Sequence, residues 1–154
     1  MIKTVERSAL VWFSAQRMYD LVNDVASYPH FLPWCDAAQV LQQEEDWMLA
    51  CLTVAKGGVR HQFTTRNQLI HPAEIHMELV DGPFKHLQGR WRFLELDRDA
   101  CKVELNLSFE LAGRLAGLAL GPVFGQAANS MVDAFCNRAR QLYGSAASAS
   151  LGSA

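Results

Sequence analysis

A chain of 154 residues that is 50% apolar and 19% charged has the length and the hydrophobic side chains for one domain with a real core. This excludes a disordered chain, a collagen-like chain and a miniprotein that depends on staples. Fourteen Lys and Arg against sixteen Asp and Glu give a net charge of −2, which excludes a globally basic nucleic-acid binder but not a local basic face.

Residues 1–13 alternate weakly and hold Val5, Leu10, Val11, Trp12 and Phe13, which predicts a strand. Ser14 stands at an N-cap position, with Arg17 where an acid would complete a capping box. Met18, Leu21, Val22 and Val25 recur at helical spacing and predict a short amphipathic helix over 15–25. Tyr28-Pro29 and Leu32-Pro33 break it. Tyr28, Phe31, Leu32 and Trp34 gather around those breaks as an apolar knot, read as a second short helix.

From Asp36 to Leu111 the apolar period becomes two, which predicts strands over 36–43, 47–55, 59–70, 74–81, 86–97 and 101–111. Gly57-Gly58, His71-Pro72, Asp81-Gly82-Pro83 and Arg98-Asp99 supply the turns. Short turns between neighbours predict an antiparallel meander. Gly89 inside a strand predicts a bulge or sharp curvature. Phe124, Ala128, Met131, Phe135, Ala139 and Leu142 then repeat at helical spacing, predicting one long helix over 116–143. The expected domain is 1–144, with 145–154 a disordered small-residue tail. A single helix against a strongly curved sheet of seven strands is an α+β two-layer design that leaves a cavity between the layers.

Parity assigns the faces. Val59, His61, Phe63, Thr65, Asn67 and Leu69 point one way along 59–70, and Arg60, Gln62, Thr64, Arg66 and Gln68 the other. Met77 and Leu79, then Leu87, Trp91 and Phe93, then Val103, Leu105, Leu107, Phe109 and Leu111 continue the inner face. Apolar walls with sparse polar groups suit a small-molecule site. They equally suit a packed core, and the two readings stay open. The outer face lacks acids between Asp46 and Glu74 and across 82–94, where Lys56, Arg60, Arg66, Lys85, Arg90 and Arg92 stand. A cross-strand ion row running through Arg66, Glu78 and Arg90 is one reading. A basic surface for RNA phosphates or anionic lipid headgroups, carried by Arg60, Arg66, Arg90 and Arg92, is the other.

The chain has no nucleophile elbow, P-loop, zinc-protease or dinucleotide motif, and its carboxylates fall in turns or on outer faces. His61 is a lone inward histidine, while His76 and His86 fall outside, so a non-catalytic protein without a metal is expected. An inward acid or histidine paired with a second polar group would revive a cyclase or hydrolase reading. Cys35, Cys51, Cys101 and Cys136 are scattered, as buried thiols of a reducing compartment are. Lys3, Glu6 and Arg7 interrupt any signal-peptide core. The uncharged stretch between Arg114 and Asp133 is too rich in Gly, Pro and polar residues to span a bilayer.

The blocks LVNDVASYPHFLPWC (21–35), FTTRNQL (63–69), LVDGPFKHLQGRWRF (79–93), FEL (109–111) and MVDAFCNRARQLYG (131–144) resemble the coenzyme Q-binding, START-like family, and within it the bacterial ribosome association toxin branch. The resemblance covers about 1–144. It implies a helix-grip fold, with two short helices after the first strand and a curved seven-stranded sheet around the C-terminal helix. It also implies one of two functions. The main expectation is a non-catalytic carrier of ubiquinone or another isoprenoid lipid that supports respiration. The alternative is a toxin that binds the large ribosomal subunit and blocks 70S formation. No catalytic residue, required cofactor or DNA partner comes with either.

The ligand residues expected are Phe31, Trp34, His61, Phe63, Met77, Leu79, Phe84, Trp91, Phe109, Phe124, Met131 and Phe135. Trp34 stands where the resemblance implies a smaller side chain and is expected to narrow the cavity mouth. The location expected is cytoplasmic, with peripheral contact at the inner membrane for a carrier. Gly117, Gly121-Pro122 and Gly125 place the regular start of the long helix near Pro122, making 114–121 either a helix kink with no gating role or an apolar gate beside Phe84 and Phe124.

Overall fold

The computed structural model describes residues 2–113 and 120–152. β1 (Lys3–Val11) buries Val5 and Val11 and leads into α1 (Ala15–Asn23). The Ser14 side chain accepts a hydrogen bond from the Arg17 backbone N–H at 3.1 Å, so half of the capping motif suffices. α1 buries Ala15, Met18, Tyr19, Leu21 and Val22 and stops two residues before the expected end. Val25 instead opens a 3₁₀ helix (Val25–His30) that contains Pro29. The Tyr28 hydroxyl donates to the Val22 carbonyl at 2.5 Å and ties the two pieces together.

The strands that follow are β2 (Cys35–Gln43), β3 (Trp47–Lys56), β4 (Val59–Ile70), β5 (Glu74–Asp81), β6 (Phe84–Asp97) and β7 (Ala100–Leu111). They form one seven-stranded sheet in the order β1-β7-β6-β5-β4-β3-β2. Short turns keep consecutive strands adjacent, and β1 closes the far edge by pairing antiparallel with β7. Gly57 and Gly58 have φ of +60° and +83°, the pair of left-handed conformations that a two-residue hairpin turn requires.

Gly89 does not bulge. It holds regular register between Met77 and Leu107, and the register shifts fall elsewhere, as at Thr64/Thr65 and Phe84/His86. A Cβ at Gly89 would stand 2.7 Å from Leu107 Cδ1 and 2.7 Å from Met77 Cε. The glycine therefore makes room for its inner-face neighbours and bends no strand by an extra residue.

α2 (Leu120–Gly152) lies across the inner face and buries Phe124, Ala127, Ala128, Val132, Phe135, Cys136 and Ala139. Arg7 on β1 and Asp133 on α2 form an ion pair at 3.3 Å. The helix runs past residue 143 into the segment expected as a disordered tail. Residues 114–119 of the expected gate lie outside the described residues. Gly121 and Pro122 sit in the first turn of α2, where proline is tolerated.

Candidate functional site

Two concave regions lie on opposite faces of the sheet. The inner one is a cavity of about 60 Å³ beneath α2. Its wall includes Val25, Tyr28 and Trp34 from the 3₁₀ region, Ala50, Phe63, Thr65, Asn67 and Met77 from the sheet, and Phe124, Ala127, Ala128 and Met131 from α2. Two aromatic clusters confine it. Phe84, Phe109 and Phe124 pack edge-on with ring centroids 4.7–6.3 Å apart, and Phe63 joins at 5.6–5.7 Å. Phe135 packs edge-on against Tyr28, Phe31 and Trp91 at 5.3–5.4 Å. The expectation that a lone helix cannot fill the curved sheet underestimates these rings, which occupy most of the gap.

Of the residues expected to bind a ligand, Trp34, Phe63, Met77, Trp91, Phe124 and Met131 line the cavity. Phe84, Phe109 and Phe135 stand behind that wall in the aromatic clusters, and half-buried Phe31 packs outside Phe135 beneath Arg138. Leu79 pairs with Thr65 and leans towards Gly82, away from the cavity. His61 keeps inward parity but pairs with Val54 near the β3–β4 turn, beyond the cavity wall. Parity assigns a face and does not say how far along a strand the helix reaches.

The residues expected to bind a ligand leave out the polar groups of the wall. The Thr65 hydroxyl donates to Asn67 Oδ1 at 2.8 Å, and both residues are buried. Trp34 Nε1 is buried with no hydrogen-bond partner among the described residues. The Tyr28 hydroxyl is committed to Val22, and burial pushes its pKa well above the usual phenol range. Burial also pushes the Cys35 and Cys101 thiols up to about 11, so both stay neutral near pH 7. Among the described residues no acid or histidine lines the cavity. Among the described residues no cluster of His, Cys, Asp or Glu has the makings of a metal site.

The outer region is a groove of about 480 Å³ running over β4–β7 to β1. Arg66, Gln68, His76, Glu78, Gln88, Arg90, Asn106 and Ser108 line it, together with Thr4, Met77, Gly89 and Leu107. The expected ion row does not form. Arg66 stands opposite Glu78 in register, yet Glu78 faces Gln88 and Arg90 faces His76. Among the described residues no carboxylate comes within 4.0 Å of Arg66 or Arg90. The Arg66 guanidinium lies over the Trp47 ring at 4.6 Å instead. The other two expected cations are spoken for: Arg60 pairs with Asp36 at 2.5 Å and Arg92 with Glu104 at 3.4 Å. The outer histidines are held as well, His76 by Glu74 at 2.8 Å and His86 by Ser108 at 2.8 Å. Missed from sequence were Trp47 and the amide and hydroxyl side chains of the groove, whose signal was their outward parity beside Arg66 and Arg90.

No helix among the described residues is long and apolar enough to cross a membrane. The chain is similar to two proteins named ribosome association toxin: one from Pseudomonas aeruginosa, 56% identical over 91% of this chain and 97% of that protein, and one from Vibrio cholerae, 52% identical over 93% and 99%. A mitochondrial coenzyme Q-binding protein homologue from Xenopus laevis is 31% identical over 89% of this chain and 58% of that protein. In fold the chain is similar to the Zhui aromatase/cyclase from Streptomyces, with a TM-score of 0.78 at 21% identity over 92% of this chain and 96% of that one. The model of the polyketide cyclase/dehydrase and lipid transport family matches residues 11–136, and the chain belongs to that family, with the START-like helix-grip fold its architecture displays.

Proposed function

We propose that this protein is a ribosome association toxin that binds the large ribosomal subunit and hinders its joining to the small one. The observation that carries this reading is the 56% and 52% identity, over nearly the full length of both partners, to proteins of that name. The geometry supports it. The inner cavity of about 60 Å³ is far below the ~300–1,000 Å³ of ordinary ligand sites. The outer groove, of about 480 Å³, is open and carries the exposed guanidiniums of Arg66 and Arg90. The test is a sucrose-gradient profile of ribosomes after induced expression. The reading expects a depleted 70S peak and raised free subunits. An unchanged profile at high protein level contradicts it.

A second reading, carriage of ubiquinone or a similar lipid, draws on the orphan Trp34 N–H donor and on the coenzyme Q-binding relative. The indole N–H would meet a carbonyl oxygen, and flexible Met77 and Met131 would have to swing aside to admit a ring. Organic extraction of protein purified from a quinone-producing host tests it: co-purifying quinone supports carriage, and no quinone with no binding on titration contradicts it.

A further inference from the structure

The outer groove differs in make-up from the rest of the surface. The cations around it at Arg60, Arg92 and Lys102 each have a carboxylate within 4.0 Å, namely Asp36, Glu104 and Glu104. Arg66 and Arg90 do not, and both line the groove. Both are exposed on adjacent parts of one face, since Arg66 pairs across to Glu78 on β5 while Arg90 pairs across to His76 on that same strand. The Arg66 guanidinium carbon lies over the Trp47 ring, 4.6 Å from its centroid, which holds the fork in place beside the groove. Holding the fork beforehand lowers the side-chain entropy lost on binding.

We propose that this groove is the contact surface for the phosphodiester backbone of ribosomal RNA in the large subunit. The proposal rests on the ribosome reading and adds the face and the partner chemistry to it. Arg66 and Arg90 each bridge phosphate oxygens through two N–H donors. Gln68, Gln88 and Asn106 offer both donors and acceptors to sugar and base edges in the same groove. Glu78 is exposed and accepts only. A carboxylate beside a phosphate is repelled, but one beside a ribose accepts the 2′-hydroxyl proton, which deoxyribose lacks. The groove therefore favours RNA over DNA of the same sequence. The neutral alternation around it explains how a chain of net charge −2 presents a cationic site without a globally basic surface.

The test uses the full chain and isolated large subunits, with binding read by co-sedimentation at several salt concentrations. Arg66→Glu with Arg90→Glu is expected to weaken binding at least tenfold without altering the melting temperature. The milder Arg66→Gln with Arg90→Gln is expected to keep the fold and to flatten the plot of log affinity against log salt by about 1.4, two single-strand phosphate contacts at ~0.7 each. RNA extracted from the large subunit is expected to compete, and a labelled RNA 12-mer to bind more tightly than its DNA counterpart. Wild-type binding that both double variants retain overturns the groove while leaving the ribosome reading intact. Variant-sensitive binding that is insensitive to salt and to extracted RNA assigns the groove to a ribosomal protein and overturns the RNA partner. If wild type does not bind subunits, the ribosome reading fails and the large-subunit partner is overturned with it, and the 12-mer tests the groove's RNA chemistry alone: arginine-dependent RNA binding upholds that chemistry and no binding overturns it.

Discussion

The two faces of the sheet divide the molecule's chemistry unequally. Below the sheet, about 60 Å³ remains between two aromatic clusters, with buried Thr65 and Asn67 bonded to each other. Above it, about 480 Å³ lies open between polar side chains, and two arginines there have no carboxylate partner. The same alternation that sends Phe63, Thr65 and Asn67 down sends Arg66 and Gln68 up, so one strand builds both regions. In this chain rings crowd the space beneath the helix, and the proposed function rests on the opposite face.

This comparison is sharpened first from below. Phe135 is fully buried and touches Tyr28, Phe31 and Trp91. Phe135→Ala is expected to destabilise the protein by about 3–5 kcal/mol, read by urea unfolding, because the helix cannot collapse into the void. The enlarged cavity should bind an apolar dye that wild type does not, while the folded fraction keeps its affinity for large subunits. Gly89→Ala comes next. Its Cβ would meet Leu107 and Met77 at 2.7 Å each, and these methyl ends must shift to admit it. A loss of about 1–3 kcal/mol in the same measurement is expected.

Ala50→Val is gentler. Ala50 is buried in β3 and lines the cavity, so two added methyl groups enter existing space on a strand that favours valine. Stability should move by less than about 1 kcal/mol, and any residual dye or quinone uptake should vanish. The smallest effect belongs above the sheet. The hydrogen bond from His76 lowers the Glu74 pKa below 4.5, with burial opposing and Arg90 and Arg92 adding a little. A depressed folded pKa stabilises above the unfolded pKa, and that contribution is lost as pH falls through the folded value. An NMR titration should therefore place the Glu74 midpoint below that of a free glutamate, and His76→Ala should raise it.

Much of this was legible in the chain. The bounds of β4 and β5 match the expected 59–70 and 74–81, because clean alternation runs between unmistakable turns at Gly57-Gly58 and His71-Pro72. The inner and outer faces followed from the same alternation. What parity could not carry was reach and register. It put His61 inside but not beyond the cavity, and it aligned Arg66 with Glu78 without revealing that Trp47, two residues along β3 from the one facing Arg66, captures the guanidinium. Which outer arginines keep a free fork depends on Asp36 and Glu104, residues 24 and 12 positions away in sequence. The size of the cavity depended on how the aromatic side chains of the two clusters pack across the sheet, α2 and the 3₁₀ region, a three-dimensional fact with no period of its own.

The central claim, that the outer groove acts on ribosomes and the inner cavity does not, is tested most directly by one set of gradients. Ribosome profiles are recorded with wild type, with Arg66→Glu plus Arg90→Glu, and with Ala50→Val, each expressed to the same level and each shown to melt cooperatively. Wild type and Ala50→Val are expected to deplete 70S particles equally, and the double arginine variant to leave them intact. Loss of the effect in Ala50→Val with its retention in the arginine variant would contradict the account.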